Sequence, residues 1–170
     1  MPGLIIYTSK YGATQQYAEW LGEMLQLTVK PSTDITEEEL SKYDFILLGT
    51  PVYFGTFKLK AWLVHNVRYL LHKKLFFFIV SATGSQDKEI CARFIEQNVP
   101  AELKPYCQFY FLPGQVIHQR LSFRDKLILK LVAGVQRDPE KRKALNEDLI
   151  GVKKEELASL INDTLISVKG

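Results

Sequence analysis

Short apolar runs recur along this chain, each closing in a loop of hydroxyl-bearing and small residues, with helix-period stretches between them. The runs at 4–7, 45–49, 75–80 and 108–112 are too short for buried helices and are bounded by Gly, Pro or hydroxyl residues, so they read as strands, with 27–29 as a weaker fifth. Between them, Tyr17, Leu21, Met24 and Leu25 recur at helical spacing, as do Leu59, Leu63, Val67 and Leu70, then Ile90, Phe94 and Ile95. A short acidic helix start lies at 35–40, and a last helix is expected over 152–168. Strands alternating with helices predict a parallel sheet covered on both faces. At 170 residues the chain is expected to form a single domain over 1–170.

Several function classes are excluded at this level. Leu75 to Val80 is the longest apolar run, far too short to span a bilayer, and the first residues lack the charged start of a signal peptide, so a cytoplasmic protein is expected. Cys91 and Cys107 lie far apart with no Cys/His cluster near them, so no metal site is expected. His65, His72 and His118 are scattered, and neither a Ser-His-Asp set nor a carboxylate pair is discernible; no catalytic side chain is assigned. The net charge of +3 is unevenly placed. Residues 114–147 hold eight Lys/Arg against four Asp/Glu, leaving 14 cations against 15 acids elsewhere. With the basic residues confined to one segment and no recognisable motif, no nucleic-acid partner is expected.

Ligands of open α/β sheets bind beyond the carboxyl ends of the strands. Three such loops share one character: Thr8, Ser9, Lys10, Tyr11, Gly12, Ala13 and Thr14 after the first run; Thr50, Pro51, Val52, Tyr53, Phe54, Gly55 and Thr56 after the third; and Ser81, Ala82, Thr83, Gly84, Ser85, Gln86 and Asp87 after the fourth. The first runs straight into a helix, so its backbone amides, the helix terminus and the hydroxyls of Ser9 and Thr14 suit a phosphate. The alternative is that Thr14 merely caps that helix. No Walker loop or GxGxxG fingerprint occurs, and the acid cluster of a receiver domain is missing.

The segments YTSKYGAT and YDFILLGTPVYFGTF resemble the flavodoxin-like family, whose first loop reads roughly Ser/Thr-x-x-Gly-x-Thr. The resemblance implies a three-layer α/β sandwich with a central five-stranded parallel sheet and helices on both faces. It also implies FMN as cofactor. The phosphate would lie in the first loop, on Thr8, Ser9, Lys10, Tyr11, Gly12, Ala13 and Thr14. The isoalloxazine would lie between Thr50, Pro51, Val52, Tyr53, Phe54, Gly55 and Thr56 on one side and Ser81, Ala82, Thr83, Gly84 and Asp87 on the other. Ala13 departs from the family's frequent Asn, and Lys10-Tyr11 from its Thr, but backbone donors are unaffected. An aromatic against a flavin face contributes about 0.5–1.5 kcal/mol beyond buried area, a role open to Tyr53 or Phe54 unless they are ordinary core aromatics. The third loop has no aromatic, which leaves one face for a substrate.

Residues 114–147 exceed what a minimal connection needs, and an insertion is expected there. Leu127, Ile128, Leu131, Val132 and Val135 form an apolar stripe, and Lys126, Lys130 and Arg137 a basic one, so the helix either touches a membrane interface or packs on its own domain. GQVIHQRLSFRDKLILKLVAG is similar to the inserted region of the quinone-dependent protoporphyrinogen dehydrogenases, although the likeness fades beyond Gly134. That similarity implies an FMN oxidoreductase taking electrons from protoporphyrinogen IX and passing them to a quinone. Arg120, Arg124, Lys126 and Lys130 are then candidates for the porphyrin propionates, with His118 as the one histidine worth testing. The competing reading is a flavodoxin-type carrier between protein partners, which a basic segment fits poorly. Homo-oligomerisation stays open.

Overall fold

Strand β1 (Gly3–Tyr7) lies inside the sheet with all three of its middle residues buried. The structure, a computed structural model, describes residues 1–82 and 87–169. In chain order the elements after β1 are α1 (Ala13–Leu25), β2 (Thr28–Pro31), α2 (Glu37–Leu40), β3 (Phe45–Tyr53), β4 (Thr56–Phe57), α3 (Lys60–Leu70), β5 (Lys74–Ser81), α4 (Lys88–Asn98) and β6 (Cys107–Pro113). There follow β7 (Gln115–Val116), α5 (Phe123–Val135), α6 (Pro139–Asn146), β8 (Leu149–Ile150) and α7 (Ala158–Lys169). Five strands run parallel in the order β2-β1-β3-β5-β6, and short β4 adds a sixth by pairing antiparallel with the end of β3.

The apolar runs read as continuous because both faces of the sheet are covered. Side chains alternate between the two cores with period two. Ile46, Leu48, Phe77 and Ile79 join Leu59, Leu63 and Leu70 on one face, while Leu47, Phe76 and Phe78 join Tyr17, Leu21 and Leu160 on the other. Each such Leu or Phe contributes about 1.5–3 kcal/mol on burial.

Three boundaries differ from the sequence expectation. Strand β3 does not stop at Gly49 but continues to Tyr53. Gly49 is needed inside the strand because a Cβ there would lie 2.2 Å from the Phe78 ring. The chain then reverses through Phe54 and Gly55, both at positive φ, as a two-residue hairpin requires. The last helix begins at Ala158, after a separate 3-10 turn at Lys154–Leu157. Helix α1 begins at Ala13 with Gly12, φ +92°, as its N-cap and no side chain capping it. Thr14 therefore lies inside the first turn and is not the cap.

The expected insertion starts from a pinned point. β7 and β8 pair antiparallel, joining Gln115 to Ile150 and Val116 to Leu149, and the Gly151 amide donates to the Gly114 carbonyl. Within that bracket α5 is N-capped by Ser122, whose hydroxyl accepts the Asp125 amide. The apolar stripe of α5 does not pack on the domain. Asp125 and Ala133 are buried, whereas Leu127, Leu131 and Val135 are exposed.

Candidate functional site

The first loop is held open by its own residues. The Ser9 hydroxyl accepts the Gly12 amide at 3.1 Å, which curls the chain into the start of α1. Gln16 is the first helical amide to bond back, to the Gly12 carbonyl. The amides of Ala13, Thr14 and Gln15 thus have no partner among the described residues, as at any uncapped helix start. They carry the partial positive charge of the helix terminus.

Loop two is shaped by a buried residue that the sequence reading passed over. Asn98 of α4 accepts the Phe57 amide at 2.9 Å and donates to the Gly55 carbonyl at 2.8 Å. This fixes the hairpin and with it the positions of Tyr53 and Phe54. Thr50 is wholly buried and accepts the Leu59 amide at 3.2 Å, so its hydroxyl secures the start of α3.

These loops and the insertion together enclose a cavity of about 200 Å³. Of the expected residues, Ser9, Lys10, Tyr11, Ala13, Thr14, Pro51, Val52, Tyr53, Phe54, Ser81 and Ala82 line it. Thr8 stands apart, its hydroxyl 2.8 Å from that of Ser32. Thr50, Gly55 and Thr56 shape the second loop without lining the cavity, and Asp87 caps α4 by accepting the amides of Glu89 and Ile90. Thr83 and Gly84 lie outside the described residues.

Val80, Gly114, Gln115, Val116, Leu121, Asp125 and Leu129 complete the lining and were not anticipated. Gly114, Gln115 and Val116 follow β6, so the same strand-tip rule applied once more would have found them. The signal for Asp125 was its isolation as the one acid in a basic helix, two residues from Phe123 and Leu127 on the exposed face.

Asp125 ties the insertion to the first loop. Its carboxylate accepts from Lys10 Nζ at 2.5 Å and from the Tyr11 hydroxyl, and the Ser122 amide donates to that hydroxyl at 3.1 Å. Burial opposes ionisation of Asp125, but the hydrogen bonds from Lys10, Tyr11 and Ser122 outweigh it and hold the carboxyl below its ordinary range. The same carboxylate raises the Lys10 ammonium above its usual value. Lys10 Nζ also stands 5.2 Å from the Tyr11 ring centre and 5.1 Å from that of Tyr53, within cation–π range of both. Burial, with Tyr11 and Asp125 nearby, pushes the Tyr53 phenol up, so it stays neutral and presents a flat, uncharged face.

The other expected contacts lie off the cavity. Arg120, Arg124, Lys126 and Lys130 are exposed and do not line it. His118 pairs with Asp148 through both its amide, at 2.8 Å, and Nδ1, at 3.0 Å, across the mouth of the insertion.

Two buried hydroxyls test the fit of FMN. Thr14 Oγ1 and Ser81 Oγ have no hydrogen-bond partner among the described residues, and both residues line the cavity. A buried polar atom left unpaired costs about 1–3 kcal/mol, so two of them in one cavity call for a polar ligand. Thr14 stands with the open amides of α1, as a phosphate requires, and Ser81 lines the same cavity as Tyr53 and Phe54, which suits a polar-edged ring. A Cβ on Gly12 would meet nothing within 4 Å, which leaves the loop backbone approachable. The residues present fit FMN: Ser9, Thr14 and the first amides of α1 would hold its phosphate, with Val52, Tyr53, Phe54, Ser81 and Ala82 about its ring.

The family model described as "Flavodoxin domain" matches residues 4–143. No curated protein matches the chain. Among solved structures, two-electron reduced flavodoxin from Megasphaera elsdenii is 18% identical, with 57% of this chain and 79% of that one covered and a TM-score of 0.47. A flavodoxin from the domain Archaea is 15% identical over 86% of this chain and 100% of that one, TM-score 0.44. Oxidised Flavodoxin 2 from Bacillus cereus is 19% identical over 85% and 92%, TM-score 0.46. The family match spans most of the chain, so this protein belongs to the flavodoxin domain family and FMN is its cofactor.

Proposed function

We propose that this flavoprotein is an oxidoreductase that acts directly on a small reduced substrate, a porphyrinogen being the class the insertion suggests, with a quinone as acceptor. The observation that carries the reading is Asp125: through it the insertion becomes a wall of the flavin cavity, with Leu121 and Leu129 beside it. A simple carrier has no use for such a wall. Bound FMN supplies the redox chemistry; the chain supplies the rest. Ser9, Thr14 and the α1 amides anchor the phosphate end. Tyr53 stays neutral and offers an apolar face, and Leu121 and Leu129 shield the cavity from water. The Lys10–Asp125 pair cancels charge at the loop, so the cavity is kept for a substrate whose body is apolar.

The test is anaerobic reduction of the FMN-loaded protein, followed by flavin absorbance. Protoporphyrinogen IX is expected to bleach it faster than NAD(P)H or a reduced ferredoxin. Bleaching by the ferredoxin alone would favour the carrier reading.

A further inference from the structure

Helix α5 is turned inside out by the standard of a surface helix. Phe123, Leu127, Leu131 and Val135 repeat every fourth residue and form one row, and they are 82%, 50%, 63% and 80% exposed. The buried side of the same helix carries Asp125 and Ala133. An amphipathic helix usually buries its apolar row against its own core. Here the Asp125 attachment to Lys10 and Tyr11 holds the helix the other way round.

Cations border that row. Arg124, Lys126 and Lys130 lie on the helix and Arg137 just beyond it, all exposed and none paired with a carboxylate among the described residues. The only acid of the helix is Asp125, which faces inward and is occupied. The outward face is therefore apolar in the middle and positive at its edges. At 13 residues the helix is roughly 20 Å long, and among the described residues no helix is long and apolar enough to cross a membrane. A short helix with this arrangement lies in the plane of an interface, with its apolar row among acyl chains and its cations at anionic headgroups.

We propose that α5 is a docking face for a bilayer surface containing anionic lipid. A second copy of this chain is a poorer occupant, because pairing two such faces would oppose Arg124, Lys126, Lys130 and Arg137 of one copy to those of the other. Leu129 lines the flavin cavity while Leu127 and Leu131 face outward, so docking would set one wall of the cavity at the lipid surface. The inference does not depend on the identity of the substrate, and its readout is vesicle binding, so either can fail alone.

The experiment is flotation of the FMN-loaded full chain with phosphatidylcholine vesicles, with and without phosphatidylglycerol. Binding is expected only when phosphatidylglycerol is present, and it should weaken as salt is raised. Lys126→Gln with Lys130→Gln should weaken it roughly thirtyfold at low salt, from the usual contribution of a basic residue at an anionic surface. Leu131→Ser should weaken it on the order of tenfold while leaving the flavin spectrum intact, since Leu131 touches neither core nor cavity. No flotation with either vesicle would overturn the proposal, as would flotation that both variants leave unchanged. A dimer in solution that Leu131→Ser dissociates, without vesicle binding, would overturn it in favour of a second copy. Binding to an acidic protein but to no vesicle would overturn it in favour of a protein partner.

Discussion

Lys10 Nζ stands 2.5 Å from a carboxylate oxygen of Asp125, joining residues 115 apart in the chain. This contact fastens the insertion over the cofactor loop and explains why α5 shows its apolar row to solvent. Asp125→Asn keeps the shape but removes the charge. It is expected to cost about 1.5–3 kcal/mol of attachment, the range for hydrogen bonds to charged groups. Hydrogen exchange should speed up in residues 117–136 and stay unchanged in β1, β3 and β5; uniform exchange would show that the contact fastens nothing.

The attachment should depend on pH in a defined direction. The Asp125 carboxyl is held below its ordinary value, so its contribution is complete above about pH 4 and is lost as pH falls through its folded value. Lys10 is shifted up, so its contribution persists to about pH 10 and is lost only above that. Melting curves of the native chain and Asp125→Asn should therefore differ at neutral pH and converge in acid. A constant difference down to pH 3 would contradict the assignment.

Gly49 offers a test of the sheet. Its absent side chain leaves room for the Phe78 ring, which a Cβ would approach to 2.2 Å. Gly49→Ala is expected to destabilise the protein by about 1–3 kcal/mol, as overpacking does, because the ring is buried and has nowhere to move. Chemical denaturation would check this, and an unchanged midpoint would mean that the Phe78 ring yields.

Much of this is legible in the sequence alone. The apolar runs at β1, β3 and β5 are continuous because both faces are buried, so strands and layers could be read directly. The loops at Ser9–Thr14 and Pro51–Phe54 followed from the rule about strand ends. Other features depend on distant partners. Gly49 looked like a strand end because the crossing Phe78 ring is invisible in sequence. Thr50 looked like a ligand because nothing local reveals that its hydroxyl serves the Leu59 amide. Asn98 reads as an unremarkable helix-end residue, yet it holds the second hairpin. The orientation of α5 is the clearest case. Its stripe could be counted, but which side faced inward was decided by Asp125 meeting Lys10 and Tyr11 more than a hundred residues away.

The most direct test of the account is Thr14→Val, measured twice: once for stability without flavin and once for FMN affinity. Valine has nearly the same shape and lacks the hydroxyl that now lies buried without a partner. The flavin-free protein is expected to become no less stable, by up to about 1 kcal/mol more so, while FMN binds on the order of tenfold more weakly. A variant that binds FMN as tightly as the native chain would contradict the placement of the phosphate at the start of α1.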